Sequence, residues 1–141
     1  MSSYESLTKL LRSQGYSLTN TRRLVYSLLA NNEPLTMIEL VRRCLPTIDR
    51  ASVYRTVALY EQLGIAQRLY IGWKYKLELS NAFQAHHHHL SCTVCGNVIV
   101  LAEDIGLEQR LTALAQPHGY TMLDHQLEIK GVCLRCQNIE P

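Results

Sequence analysis

The chain has 141 residues, 47% hydrophobic and 18% charged, with a formal net charge of +2. These values suit one ordinary domain or two small ones and exclude a disordered chain. No apolar run approaches the ~18 residues of a membrane span. The opening Met1-Ser-Ser-Tyr-Glu-Ser6 lacks the basic-then-apolar pattern of a secretion signal, so a soluble, cytoplasmic protein is expected.

Charge is unevenly placed. Residues 1–80 hold 11 Lys/Arg against 6 Asp/Glu, and residues 81–141 hold 3 against 6. All six histidines and four of the five cysteines lie in the second part. A nucleic-acid partner for the first part and metal for the second is the simplest division.

In chain order, Ser2 or Ser3 caps a first helix with Leu7, Leu10 and Leu11 on one face, ended by Gly15. Thr19 starts a second carrying Leu24, Val25, Leu28 and Leu29, stopped at Asn31-Asn-Glu-Pro34. Thr36 opens a third, with Ile38, Leu40, Val41 and Leu45 expected inward and Arg42 and Arg43 outward, and Pro46 closes it. Asp49 or Ser52 caps a fourth, running through Val53, Val57, Leu59 and Leu63 to Gly64. Cys44 reads as core. Residues 65–71 and 73–79 then read as two strands around Gly72. Helices followed by a hairpin outline a winged helix over 1–80, with the hairpin as wing and 81–85 as a hinge. In 86–141, strands are expected at His87–Cys92, Val98–Leu101 and Leu127–Val132, and a helix at Ile105–Ala115 with Leu107, Leu111 and Leu114 on one side. The fold class is α+β. So small a second unit needs metal, a partner subunit, or both.

Cys92-Thr-Val-Cys95 and Cys133-Leu-Arg-Cys136 are two Cys-x-x-Cys pairs separated by 37 residues. Two residues between thiolates let both sulfurs reach one tetrahedral Zn²⁺, and Gly96 permits the tight turn that follows. A structural zinc is expected at Cys92, Cys95, Cys133 and Cys136. Disulfides are disfavoured in a cytosolic chain.

Just before the first pair stands His86-His87-His88-His89. On an extended strand successive side chains face opposite ways. His86 and His88 then serve one metal site, and His87 and His89 another. The residues available to complete them are Glu78, Glu103, Asp104, Glu108, His118 and His125.

Thr19-x-x-Arg22, Ala51-Ser-Val-Tyr-Arg-Thr-Val57 with Leu63-Gly-Ile65, the His86–Gly96 block and Gly131-x-Cys133-x-x-Cys136 occur in this order. Together they resemble the ferric uptake regulator (Fur) superfamily over nearly the whole chain. The resemblance implies an N-terminal winged helix-turn-helix domain, a hinge and a C-terminal α/β dimerisation domain with a Cys₄ zinc site. It implies a homodimer that binds a palindromic double-stranded DNA operator when metal-loaded, probing no membrane, and that represses metal uptake or homeostasis genes. By the same resemblance His86, His88, Glu108 and His125 match a metal site inside the dimerisation domain. Glu78, His87 and His89 match a sensory site at the hinge. The regulatory ion would be Fe²⁺, Zn²⁺ or Mn²⁺, which His and carboxylate ligands suit alike.

The chain departs from the family pattern in places. Pro34 stands where iron sensors carry a histidine. Residues 97–101 lack the aspartate of peroxide sensors, and 80–85 lack the cysteine common in zinc sensors. Ser17 stands where many members carry a basic residue that reaches the minor groove.

If the fourth helix enters the major groove, Arg50, Ser52, Tyr54 and Arg55 are its DNA-facing candidates. Arg22 and the wing residue Lys74, with Arg23 and Lys76, suit phosphate contacts. No catalytic residue is expected. The rival classes, a zinc-dependent hydrolase with Glu108 as base and a metal storage or chaperone protein, leave the basic winged helix unexplained.

Overall fold

The computed structural model describes residues 2–138. The chain divides after Ala85 into two compact units. The first holds helices α1 (Ser3–Ser13), α2 (Asn20–Ala30), α3 (Met37–Cys44) and α4 (Arg50–Gln62), then strands β1 (Ala66–Ile71) and β2 (Lys74–Leu79).

Each of these helices begins on a side chain that accepts a backbone N–H of the first turn: Ser2, Thr19, Thr36 and Asp49. Ser2 with Glu5, and Thr36 with Glu39, form reciprocal capping boxes. The Glu39 carboxyl is held below its ordinary range, chiefly by the backbone N–H of Thr36.

The four helices bury one apolar cluster that includes Leu7, Leu11, Val25, Tyr26, Leu40, Val53 and Tyr60, closed from the sheet side by Leu77 and Leu79. Cys44 is fully buried in it. Two expected inward residues are not inward. Ile38 is 55% exposed and Leu45 48% exposed. The buried stripe of α3 is Leu40, Val41 and Cys44, and Ile38 lies roughly 110° around the helix from its centre. Leu45 is the C-cap, with extended backbone, and leaves the helical path. In α4 the buried stripe is Val53, Thr56, Val57 and Tyr60. Tyr60 was not among the expected core residues, yet its hydroxyl donates to the Arg22 carbonyl at 2.6 Å and ties α4 to α2.

β1 and β2 pair antiparallel in the register Ala66↔Leu79 to Ile71↔Lys74, around the two-residue turn Gly72-Trp73. Gly72 takes φ +64°, which suits a glycine. Leu35 adds a one-residue third edge: its N–H donates to the Leu77 carbonyl at 3.0 Å. Helices α3 and α4 with this hairpin make a winged helix-turn-helix. The stretch after β2 is fastened to the same unit, because Phe83 packs edge-on to Tyr26 with ring centroids 6.2 Å apart.

The second unit holds β3 (His87–Cys92), β4 (Val98–Ala102), α5 (Ile105–Ala115), a 3-10 turn (Gln116–His118), β5 (Glu128–Gly131) and a one-turn helix α6 (Leu134–Gln137). β3 lies at the centre of the sheet, in the order β4-β3-β5. β4 runs antiparallel to it. β5 runs parallel, with His89↔Glu128 and Cys92↔Gly131 in register. Asp104 caps α5 by accepting from Leu107 N–H at 3.0 Å. Leu107 and Leu111 are half-buried, but Leu114 is 68% exposed and α5 buries no residue fully within one chain. Among the described residues its apolar side is only partly covered by its own unit.

Candidate metal centres and DNA-binding surface

The parallel pairing of β5 with β3 brings the two cysteine pairs together. Cys92 ends β3, Cys95 sits in the following turn, and Cys133 and Cys136 flank the start and body of α6. All four sulfurs lie within 4.8 Å of one another. Cys95 Sγ and Cys133 Sγ are 3.8 Å apart. A tetrahedral ion with Zn–S bonds of about 2.3 Å would separate its sulfurs by about 3.8 Å. Backbone amides turn toward the cluster: Cys133 N–H donates to Cys92 Sγ at 3.3 Å. This amide and that of Cys95 lower the Cys92 thiol to about 6, and the Asn97 amide lowers Cys95. Cys136 is pushed up to about 12, first by its hydrogen bond to Cys133. Four sulfurs this close cannot all ionise without a cation, and a Zn²⁺ held by them would supply that charge.

The second cluster is built on the opposite end of β3 and on α5. His88 Nε2 lies 2.6 Å from Glu108 Oε1, and His86 Nε2 lies 3.3 Å from the same oxygen. His125 Nε2 is 2.9 Å from Glu108 Oε2 and 3.1 Å from His86 Nε2. His88 is almost wholly buried. Burial raises the Glu108 carboxyl, but the hydrogen bond from His88 and the charges of His125, His86 and His88 outweigh it, so its pKa falls. Ligands bonded at 2.0–2.1 Å sit about 2.9–3.3 Å apart around an octahedral or tetrahedral ion. These four side chains already stand near that spacing. Of the six candidates open in the sequence, Glu108 and His125 are the two that meet His86 and His88. The geometry also argues against Glu108 as a general base, because its two oxygens are engaged by three imidazoles.

His87 and His89 face the other way from β3, with ring centroids 4.8 Å apart and planes at 86°. Glu78 lies near the end of β2 in the first unit, where its Oε1 accepts from Gln67 Nε2 at 2.9 Å.

On the first unit, the N-terminal turns of α4 are exposed. Tyr54 is 46% exposed, and the Arg50 guanidinium sits 5.9 Å from its ring centroid. Ser52 Oγ donates to Asp49 Oδ1 at 2.6 Å and accepts from Arg55 Nη2 at 3.1 Å. Arg55 is thereby held at the helix surface with a second nitrogen available. A cleft of about 230 Å³ between α2 and α4 is lined by Thr19, Thr21, Arg22, Ser52, Arg55 and Thr56. Thr19 and Thr21 were not among the expected surface residues, since the sequence marks Thr19 as a cap and as part of the Thr19-x-x-Arg22 motif. Arg22 Nη1 donates to the Ser17 carbonyl at 2.5 Å and lies 5.3 Å from the Tyr16 ring centroid. Lys74 is exposed at the wing tip.

A basic winged helix joined to a metal-binding α/β unit defines a metal-dependent DNA-binding regulator. Comparisons with known proteins agree. The family model described as the ferric uptake regulator family matches residues 13–130. The chain is 34% identical to the ferric uptake regulation protein of Bacillus subtilis over 145 aligned positions, covering 96% of this chain and 95% of that one. Its fold is similar to that of the Vibrio cholerae ferric uptake regulator, with TM-score 0.71, 30% identity, and coverage of 89% and 98%. It is also similar in fold to the Helicobacter pylori ferric uptake regulator, with TM-score 0.78, 24% identity, and coverage of 99% and 94%.

The chain belongs to the ferric uptake regulator family. It is a metal-responsive DNA-binding transcriptional regulator and not an enzyme. Its family's members bind DNA and are dimers. Among the described residues, no helix is long and apolar enough to cross a membrane.

Proposed function

We propose that this chain is a cytoplasmic, homodimeric repressor of metal uptake or homeostasis genes that binds a palindromic operator when loaded with a divalent ion. In this reading residues 1–80 bind DNA, 81–85 are the hinge and 86–141 dimerise. Cys92, Cys95, Cys133 and Cys136 hold a structural Zn²⁺. His86, His88, Glu108 and His125 hold a second ion, and Glu78, His87 and His89 a third. Fe²⁺ is the first ion to test, because the relatives are named for ferric uptake.

The observation that carries the reading is the alternation along β3. One strand turns His88 onto Glu108 and sets His87 against His89 on the other face. The apolar side chains Ile105, Leu114, Leu123 and Leu134, each at least 68% exposed in one chain, support a dimer.

A divalent ion supplies positive charge and fixed ligand geometry that bare side chains lack. Glu78 comes from the wing and His87 and His89 from β3, so joint ligation would couple the two units. The two N-terminal units of a dimer then favour the spacing of successive major grooves, ~34 Å apart. Arg55 and Tyr54 read base edges, while Arg22, Arg50, Ser52 and Lys74 position the helix on the backbone.

The test is metal analysis of the purified protein, followed by operator binding with each metal added back. Equal operator affinity for stripped and reloaded protein would end the switch reading.

A further inference from the structure

The first unit carries a group of cations that the recognition helix does not use. Lys9 and Arg12 lie on α1 and Arg23 near the start of α2, and all three are exposed. Among the described residues no carboxylate pairs with any of them. With Tyr4, Thr8 and Leu18 they line a depression of about 460 Å³ between α1 and α2. A second depression of about 530 Å³ adjoins it and shares Thr8, Arg12, Leu18 and Arg23. Sites for small molecules have this size. No residue of α4 or of the hairpin lines either one, so this cleft is distinct from the cleft between α2 and α4.

The lining is ordered along α1. Tyr4, Thr8 and Arg12 are spaced four apart and stand in one row, which sets Tyr4 and Arg12 two turns, roughly 12 Å of helix axis, apart. The Tyr4 ring is backed by the core, because it lies against the buried Tyr26 with centroids 5.3 Å apart. The Arg23 guanidinium sits 5.7 Å from the Tyr4 ring centroid. Glu5 is the one acid in the lining. It stands beside Tyr4 and is already engaged, since its Oε2 accepts from Ser2 N–H at 2.6 Å. Negative charge is therefore disfavoured at the Tyr4 end and favoured toward Lys9 and Arg12. Unpaired cations alone would take any anion. A fixed aromatic ring with a guanidinium beside it adds a stacking surface for a flat ring. A molecule with a flat ring at one end and several negative charges at the other suits both, and a nucleoside triphosphate has that form.

We propose that the cleft between α1 and α2 binds a nucleoside triphosphate, with its base on Tyr4 beside Arg23 and its phosphates on Lys9 and Arg12. This is a small-molecule site apart from the metal clusters and from the α4 surface, and neither metal loading nor operator binding enters into it.

Isothermal titration of the metal-loaded full chain with MgATP tests the site, with adenosine and inorganic triphosphate as the two halves of the ligand. The expected dissociation constant for MgATP is below about 1 mM, with each half at least tenfold weaker. Tyr4→Leu should weaken MgATP about tenfold and leave triphosphate unchanged. Arg12→Ala should weaken MgATP and triphosphate alike, about tenfold. Both positions are exposed on α1, so circular dichroism of the two variants should match the unaltered chain. No saturable binding up to about 5 mM MgATP would overturn the proposal. So would triphosphate binding as tightly as MgATP, or Tyr4→Leu weakening both equally, because the cleft would then hold charge without reading a ring. A random duplex that displaces MgATP, and that Arg12→Ala weakens to the same degree, would make the cleft a DNA contact and overturn it as well.

Discussion

His88 Nε2 stands 2.6 Å from Glu108 Oε1, and this contact joins the central strand of the second unit to its long helix. It places a buried imidazole against a carboxylate that two further histidines also reach. Glu108→Gln keeps the shape of the side chain and removes its charge. We expect at least tenfold weaker binding of the second divalent ion, read by competition with a chromogenic chelator. Unchanged affinity would remove Glu108 from the ligand set.

The cysteine cluster should behave differently from the histidine cluster. A chelator that strips the histidine-bound ion should leave one Zn²⁺ per chain, because that ion is part of the fold. Cys133→Ser should lose this zinc and unfold the second unit. Metal analysis and circular dichroism before and after chelation distinguish the two ions.

Arg55 is held by Ser52 Oγ at 3.1 Å on the exposed side of α4. Arg55→Ala should weaken specific operator binding by about 1–3 kcal/mol if the guanidinium reads a guanine bidentately. An anisotropy titration at fixed salt measures the loss. A loss equal on operator and random duplex would make Arg55 a phosphate contact instead.

Tyr60 is fully buried and donates to the Arg22 carbonyl. Tyr60→Phe should cost about 1 kcal/mol of stability. Burial raises the Tyr60 phenol above its ordinary value of 10.0. Its contribution is therefore fully present below pH 10 and is lost as pH rises beyond that, because the unfolded chain ionises first. Urea midpoints measured across the alkaline range should fall more steeply for the unaltered protein than for Tyr60→Phe.

Much of this was legible in the residues. Caps at Thr19, Thr36 and Asp49, the change of period after Gly64, and the four-cysteine spacing are local signals, and the elements follow them closely. The two-faced histidine run was legible because strand alternation is strict. Other features depend on tertiary placement. Glu108 and His125 stood among six candidates, since only the packing of α5 and the 120–127 segment decides which of them meets β3. Ile38 and Leu45 depart from expectation because in so short a helix a rotation of one residue, about 100°, carries an apolar side chain off the buried stripe, and because the helix ends one residue before Leu45. Leu114 was expected on a covered face, and the chain alone leaves it exposed, since the surface that would cover it is not local in sequence.

β3 is hydrogen-bonded on both edges, to β4 and to β5, and this fixes which histidines face which way. A shift of one residue would exchange the two pairs. Substitutions in 86–89 therefore damage one site at a time, whereas inserting or deleting a single residue there would scramble both together. The segment is open to tuning by point change and closed to change in length.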